Sequence, residues 1–127
     1  MGKPADMNSI KDIAWKYNLF VIEDAAQAHG ALYKGKKTGS LADMGCFSFY
    51  STKNMTVCGD GGMITTNDEK TAKTIELLRN HGQYPKDVHT LVGYTARLNT
   101  VNAAIGRVQL KHLDKWVESR RNIKTIL

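Results

Sequence analysis

The sequence predicts an α/β domain in which short apolar strands alternate with amphipathic helices. Two observations carry that expectation. A helical stripe of Met7, Ile10, Ile13, Ala14 and Tyr17 runs almost directly into the apolar run Leu19–Ile22. Two further strand-like segments, Cys46–Ser51 and Met63–Thr66, precede a set of helical ones. The chain has 127 residues, 42% of them apolar, which supports one domain with a core of its own. A domain of this size buries roughly two thirds of the surface its unfolded chain exposes.

Residues 6–17 form the first predicted helix, behind Pro4. Leu19–Ile22 lacks polar alternation, as a strand covered on both faces does, and a helix followed closely by such a strand is half of a βαβ unit. The run ends in Glu23 and Asp24, and the carboxyl ends of parallel strands are where open sheets place their ligands. Residues 31–39 read as a small hairpin turning at Gly35, with no chemistry assigned. Cys46–Ser51 alternates and is rich in aromatics, so it is expected as a second core strand, with Lys53 just beyond its end. Gly59-Asp60-Gly61-Gly62 should turn the chain into a third strand, Met63–Thr66, after which Asn67 is placed to cap a helix from Asp68 to about His81. After a polar loop around Pro85, helices are expected over Asn99–Gln109 and Leu113–Ile126. The small residues Ala103, Ala104 and Gly106 would let the first of these approach a neighbour closely.

Composition narrows the function. The longest strictly apolar run, Leu19–Ile22, falls far short of the ~20 residues that span a bilayer. Asp6 and Lys11 stand where a signal peptide would need an apolar stretch, so the expected address is cytoplasmic. The cysteines, Cys46 and Cys58, match no zinc or redox spacing and are expected as reduced thiols. Glu23, Asp24 and His29 superficially suggest a metal set. Successive strand residues face opposite sides, so Glu23 and Asp24 do not converge on one ion, and no metal site is expected. Much of the net charge of +6 lies in residues 107–127, where Arg107, Lys111, Lys115, Arg120, Arg121 and Lys124 face only Asp114 and Glu118. A basic helix of this kind either meets nucleic acid or forms a solvated face in a larger assembly, and the second is the expectation.

Asp24, Ser48 and Lys53 all stand at ends of predicted strands. A lysine just outside an apolar strand and facing a carboxylate is a pattern suited to Schiff-base chemistry, because desolvation lowers its proton affinity and frees the amine to attack a carbonyl.

The stretches Val21-Ile-Glu-Asp-Ala-Ala-Gln-Ala-His-Gly, Gly39-Ser-Leu-Ala-Asp-Met-Gly-Cys-Phe-Ser-Phe, Ser51-Thr-Lys-Asn-Met and Gly59-Asp-Gly-Gly-Met occur in that order. Together they resemble the DegT/DnrJ/StrS family of sugar aminotransferases, which depend on pyridoxal 5′-phosphate (PLP); the resemblance covers about Pro4 to Leu113. It implies a three-layer αβα fold of the aspartate aminotransferase type (PLP-dependent transferase fold type I). Residues 1–127 would then be a single, truncated PLP-binding segment of the large domain, without the N-terminal part and the small C-terminal domain of complete members. The implied reaction is amino transfer to a nucleotide-linked keto sugar, with glutamate as the donor, in a homodimer without membrane or nucleic-acid partners. The alternative is a catalytically inactive fragment that serves as a structural or interaction module.

Residue by residue, the resemblance makes Lys53 the catalytic lysine, which joins the cofactor and then shuttles a proton at the substrate carbon. Asp24 would pair with the pyridine nitrogen, Gln27 would lie near the ring oxygen, and Ser48 would donate to the phosphate. His29 fits the motif without an assigned role, a packed histidine being at least as good a reading as a ligand. The glycines of residues 59–62 are expected to supply positive φ beside the lysine. The dehydratase variant of the family carries histidine where Lys53 stands. Thr95, within Gly93-Tyr-Thr-Ala-Arg-Leu, departs from the family asparagine that reaches a neighbouring subunit's cofactor phosphate, whereas Arg97 and Ala103-Ala104-Ile105-Gly106 match.

Overall fold

The computed structural model describes residues 2–126. Its elements run α1 (Met7–Tyr17), β1 (Ile22–Asp24), β2 (Leu32–Tyr33), β3 (Lys36–Lys37), β4 (Met44–Ser48), β5 (Gly62–Thr66), α2 (Glu69–Leu78), α3 (Thr100–Leu110) and α4 (Leu113–Ile126). β1, β4 and β5 form one sheet in that spatial order. β1 lies parallel to β4, with Ile22 beside Met44 and Asp24 beside Cys46. β5 runs antiparallel to β4, with Gly45 opposite Thr65 and Ser48 opposite Gly62. This is the mixed α/β architecture that the alternation of elements predicts.

Local chemistry sets the boundaries. α1 stops at Asn18, which turns left-handed at φ 51° and returns its amide to the carbonyls of Ala14 and Trp15. The next strand begins later than the expected Leu19–Ile22. The Leu19 amide bonds the Ala14 carbonyl at 2.8 Å, and the Val21 amide bonds Asp43 Oδ2 at 2.7 Å, so neither is available to a ladder until Ile22. Nor is the run covered on both faces, since β1 is an edge strand and Leu19, Phe20 and Ile22 are all more than half exposed. The β4 ladder likewise starts at Met44 rather than Cys46. α2 is capped by Asp68 and not by Asn67: the Asp68 carboxylate accepts from the Thr71 amide at 2.7 Å. It ends at Leu78, before His81 and Gly82 turn left-handed at φ 61° and 69°. α3 starts one residue after the expected Asn99, which instead caps it, accepting from the Val101 amide at 2.8 Å.

The β2–β3 hairpin turns through Lys34 and Gly35, both at positive φ (48° and 83°), the geometry a two-residue hairpin turn demands. It straps the first helix to the last. The Tyr33 hydroxyl donates to Asp6 Oδ1 at 2.6 Å, and Lys37 Nζ meets the Asp114 carboxylate at 2.6 and 2.7 Å. Hydrogen bonds from Tyr33, and secondarily from Ser9, hold the Asp6 carboxyl below its ordinary range.

The core gathers Phe49, Met55, Val57 and Leu113, with Phe47, Leu98 and Val117 packed against them. Within the small-residue stripe of α3, Gly106 packs on this core. A Cβ on Gly106 would lie 3.1 Å from Val57 Cγ1 and 3.7 Å from Met55 Cε, so the missing side chain lets α3 press on the segment that follows Lys53. Among the described residues no helix is long and apolar enough to cross a membrane.

Candidate functional site

Two neighbouring parallel strands end at the same edge of a sheet, and here those ends carry the predicted polar residues. Asp24 closes β1 and Ser48 closes β4. Because Asp24 registers with Cys46, and Ser48 is two positions further, the Asp24 and Ser48 side chains share one face of the sheet. Glu23 takes the other face.

Asp24 is exposed, and its Oδ1 accepts from the Ala26 amide at 3.1 Å, shaping the turn that presents Gln27. Asp24 and Gln27 together line a cavity of about 370 Å³, walled by Lys3, Pro4, Met7, Ile10 and Thr38 among others. Ser48 and Lys53 are not part of its wall. Ser48 is half-buried and its Oγ accepts from the Tyr50 amide at 3.3 Å, which leaves its own hydrogen to donate outward. Lys53, also half-buried, sits in a turn closed by its amide on the Tyr50 carbonyl at 2.9 Å. The buried Met55 and Val57 then anchor that turn in the core. Among the described residues neither Asp24 nor Lys53 takes part in an ion pair. An unpaired carboxylate, a hydroxyl with a free hydrogen and an amine, all at one end of a sheet, chemically suit a phosphorylated pyridine aldehyde.

Glu23 belongs to the machinery that positions this edge, a role its sequence did not disclose. Its buried carboxylate accepts the Leu41 and Ala42 amides on Oε1 at 2.6 and 3.1 Å, and the Gly39 amide on Oε2 at 2.8 Å. Three backbone donors thus hold the loop over residues 39–42 against β1. Gly39 stands at φ 83°, and a side chain there would collide with the Phe47 ring. Among the described residues no group of three or more His, Cys, Asp and Glu could hold a metal ion.

Among the glycines after Lys53, Gly59 has the expected positive φ, at 158°, whereas Gly61 and Gly62 have ordinary φ and act by close approach; Cys58 beside them is left-handed at 59°. A Cβ on Gly61 would lie 2.8 Å from Leu98 Cδ1, and one on Gly62 2.9 Å from the Phe47 carbonyl.

His29 is 4% exposed, and its ring stands near Phe47 and Phe49, at centroid distances of 5.4 and 6.1 Å. Burial lowers its proton affinity and the Lys53 charge lowers it further. The Ser48 backbone is near enough to oppose them, yet neither ring nitrogen completes a hydrogen bond within the described residues. Thr95 is exposed and its hydroxyl lies 3.2 Å from His81 Nδ1. Arg97 is exposed and borders a groove of about 850 Å³ with Cys46, Ile64, Ile75, Arg79 and Leu98.

The sequence and fold were compared with those of known proteins. The dTDP-3-amino-3,6-dideoxy-alpha-D-galactopyranose transaminase of Aneurinibacillus thermoaerophilus is 50% identical over 122 residues, covering 96% of this chain and 34% of that protein. A solved DegT DnrJ EryC1 StrS aminotransferase from Brucella abortus superposes with a TM-score of 0.92 at 34% identity, over 96% of this chain and 33% of that one. The structure of ntda from Bacillus subtilis with bound cofactor PMP superposes with a TM-score of 0.77 at 36% identity, over 89% of this chain and 26% of that one. The chain therefore spans about a third of the length of the relatives it matches. The sequence profile of the DegT/DnrJ/EryC1/StrS aminotransferase family fits residues 1–127. With that fit over its whole length and the same α/β framework in solved members, the chain belongs to this family, as part of its large domain.

Proposed function

We propose that the chain is the cofactor-binding core of a PLP-dependent aminotransferase acting on nucleotide-linked keto sugars, with glutamate as amino donor. The observation that carries the reading is the β1–β4 register, which sets Asp24 and Ser48 on one face at the sheet end that leads to Lys53. Bound there, PLP would supply the electron sink that lets an amino group pass from donor to sugar. The protein's residues do the rest. Asp24 would present its carboxylate to the pyridine nitrogen. Ser48 donates its hydroxyl hydrogen to a phosphate oxygen, a short bond that adds no fixed charge. The Gln27 amide donates to the ring oxygen. Lys53 would hold the group through its side-chain amine and, with that amine free, would move a proton at the substrate carbon as acid and base.

In this reading residues 1–127 form one segment of a cytoplasmic homodimer. Val101 and Val108, seven residues apart on one face of α3 and both more than half exposed, give self-association an apolar surface.

Incubation with PLP followed by borohydride, with peptide mass mapping, tests the assignment. The expected result is a phosphopyridoxyl group on Lys53 that Lys53→Ala abolishes. A folded chain with no label there overturns it, and fits instead the inactive structural module.

A further inference from the structure

β5 closes one side of the sheet, and its residues line the groove of about 850 Å³. Hydrogen bonding beside it decides which of them face outward. The Phe49 amide bonds the Gly61 carbonyl at 2.8 Å, while the Cys46 carbonyl is spent on the Ala25 amide, on the β1 side, at 2.9 Å. Residue pairs in an antiparallel ladder alternate between bonded and non-bonded, so Phe47–Met63 and Gly45–Thr65 are the bonded ones. The N–H and C=O groups of Gly62, Ile64 and Thr66 therefore point away from β4. No turn, loop or cap backbone bond reaches them among the described residues.

Gly62–Thr66 carries neither the proline nor the charge with which sheet edges avoid pairing, and its first three residues are exposed. β1, the opposite edge, is three residues long and two of them are carboxylates, so two copies would set like charges together there. The groove beside β5 is instead matched to itself. Asp60, Glu76, Arg79 and Arg97 line it, all exposed and none in an ion pair among the described residues. Copies of a chain with net charge +6 repel one another, but these four charges cancel. In a two-fold contact each copy offers its acids to the other's arginines, and Ile75 and Leu98 give the groove apolar surface.

We propose that this edge is a self-association surface, on which β5 of one copy pairs antiparallel with β5 of a second about a two-fold axis at Ile64. Ile64 exchanges two backbone bonds with its counterpart, and Gly62 and Thr66 do the same with the other copy's Thr66 and Gly62. Two sheets become one. The contact is distinct from the α3 face and does not depend on the cofactor reading.

Amide exchange followed residue by residue by NMR, with sedimentation of the full chain over a range of concentrations, tests the pairing. The Ile64 amide should exchange about tenfold more slowly in concentrated than in dilute protein, and lose that protection as the mass halves. Met63 and Thr65, bonded to β4, should stay protected throughout. Ile64→Pro removes an outward N–H, a change that an edge strand tolerates, and should leave a folded chain of half the parent mass. Where that variant fails to fold, Ile64→Lys sets like charges opposite each other at the axis and should halve the mass in the same way. A folded variant that keeps the parent mass overturns the proposal. So does a dimer whose Ile64 amide exchanges freely, because it uses another face. A monomer at every concentration overturns it as well and leaves the edge to a strand of a different segment or protein.

Discussion

Glu23 Oε1 accepts the Leu41 amide at 2.6 Å, binding the underside of β1 to a loop eighteen residues away in sequence. The next residue, Asp24, projects from the opposite face of the same strand, so the bond that steadies one carboxylate also aims the other. Glu23→Gln keeps an oxygen for Leu41 and Ala42 but turns an NH₂ group toward the Gly39 amide. A buried donor left facing a donor costs about 1–3 kcal/mol. Urea denaturation should show that loss, and PLP labelling of Lys53 should fall at urea concentrations where the parent still labels.

Gly106 sets a limit on side-chain size. Alanine there gains about 1 kcal/mol of helix propensity over glycine, but its Cβ comes to 3.1 Å from Val57, which is wholly buried. Gly106→Ala should therefore stay within about 1 kcal/mol of the parent. Gly106→Leu must push α3 off Met55 and Val57 and should lose about 1–3 kcal/mol by overpacking, with weaker labelling of Lys53, read by melting and mass mapping.

The lowered proton affinity of His29 gives stability a pH dependence of known sign. Folding favours the neutral ring, so its contribution is complete above the ordinary histidine value of 6.5 and is lost as pH falls below it toward the depressed folded value. The melting temperature should fall from pH 7.5 to 5 for this reason, and His29→Phe should flatten that interval. An equal slope in the variant would assign the loss to other groups.

Asp24 is exposed, and its replacement should spare the fold. Asp24→Asn is expected to melt like the parent and still label Lys53. On the proposed function, amino transfer from glutamate to a keto-sugar nucleotide should drop about 10²–10³-fold, as when one preorganised electrostatic partner is removed. Unchanged transfer would detach Asp24 from the chemistry.

Legibility in the sequence followed how local each determinant is. The hairpin at Gly35 was readable because the residue that makes the turn is itself the signal, and α3 starts within one residue of the expected Asn99. β1 was misplaced because the amides of Leu19 and Val21 are taken by a helix carbonyl and by Asp43, the latter a partner 22 residues away. Asn67 and Asp68 are both good caps, and only backbone geometry chooses between them. The same holds for the site. Asp24, Ser48 and Lys53 stood out as polar residues at strand ends, but which of them share a face depends on register. Glu23 went unread because all three of its partners are backbone amides, which leave no mark on side-chain identity.

The β2–β3 strap fastens its two sides by unlike means. Toward α4 it relies on Lys37 and Asp114, whose side chains are 55% and 72% exposed, a contact that dissolved salt weakens. Toward α1 it relies on the Tyr33 phenol against Asp6, which ions screen far less because the phenol is uncharged. In concentrated brine the buckle should slip on the α4 side first, leaving the ribbon still pinned beside the opening helix.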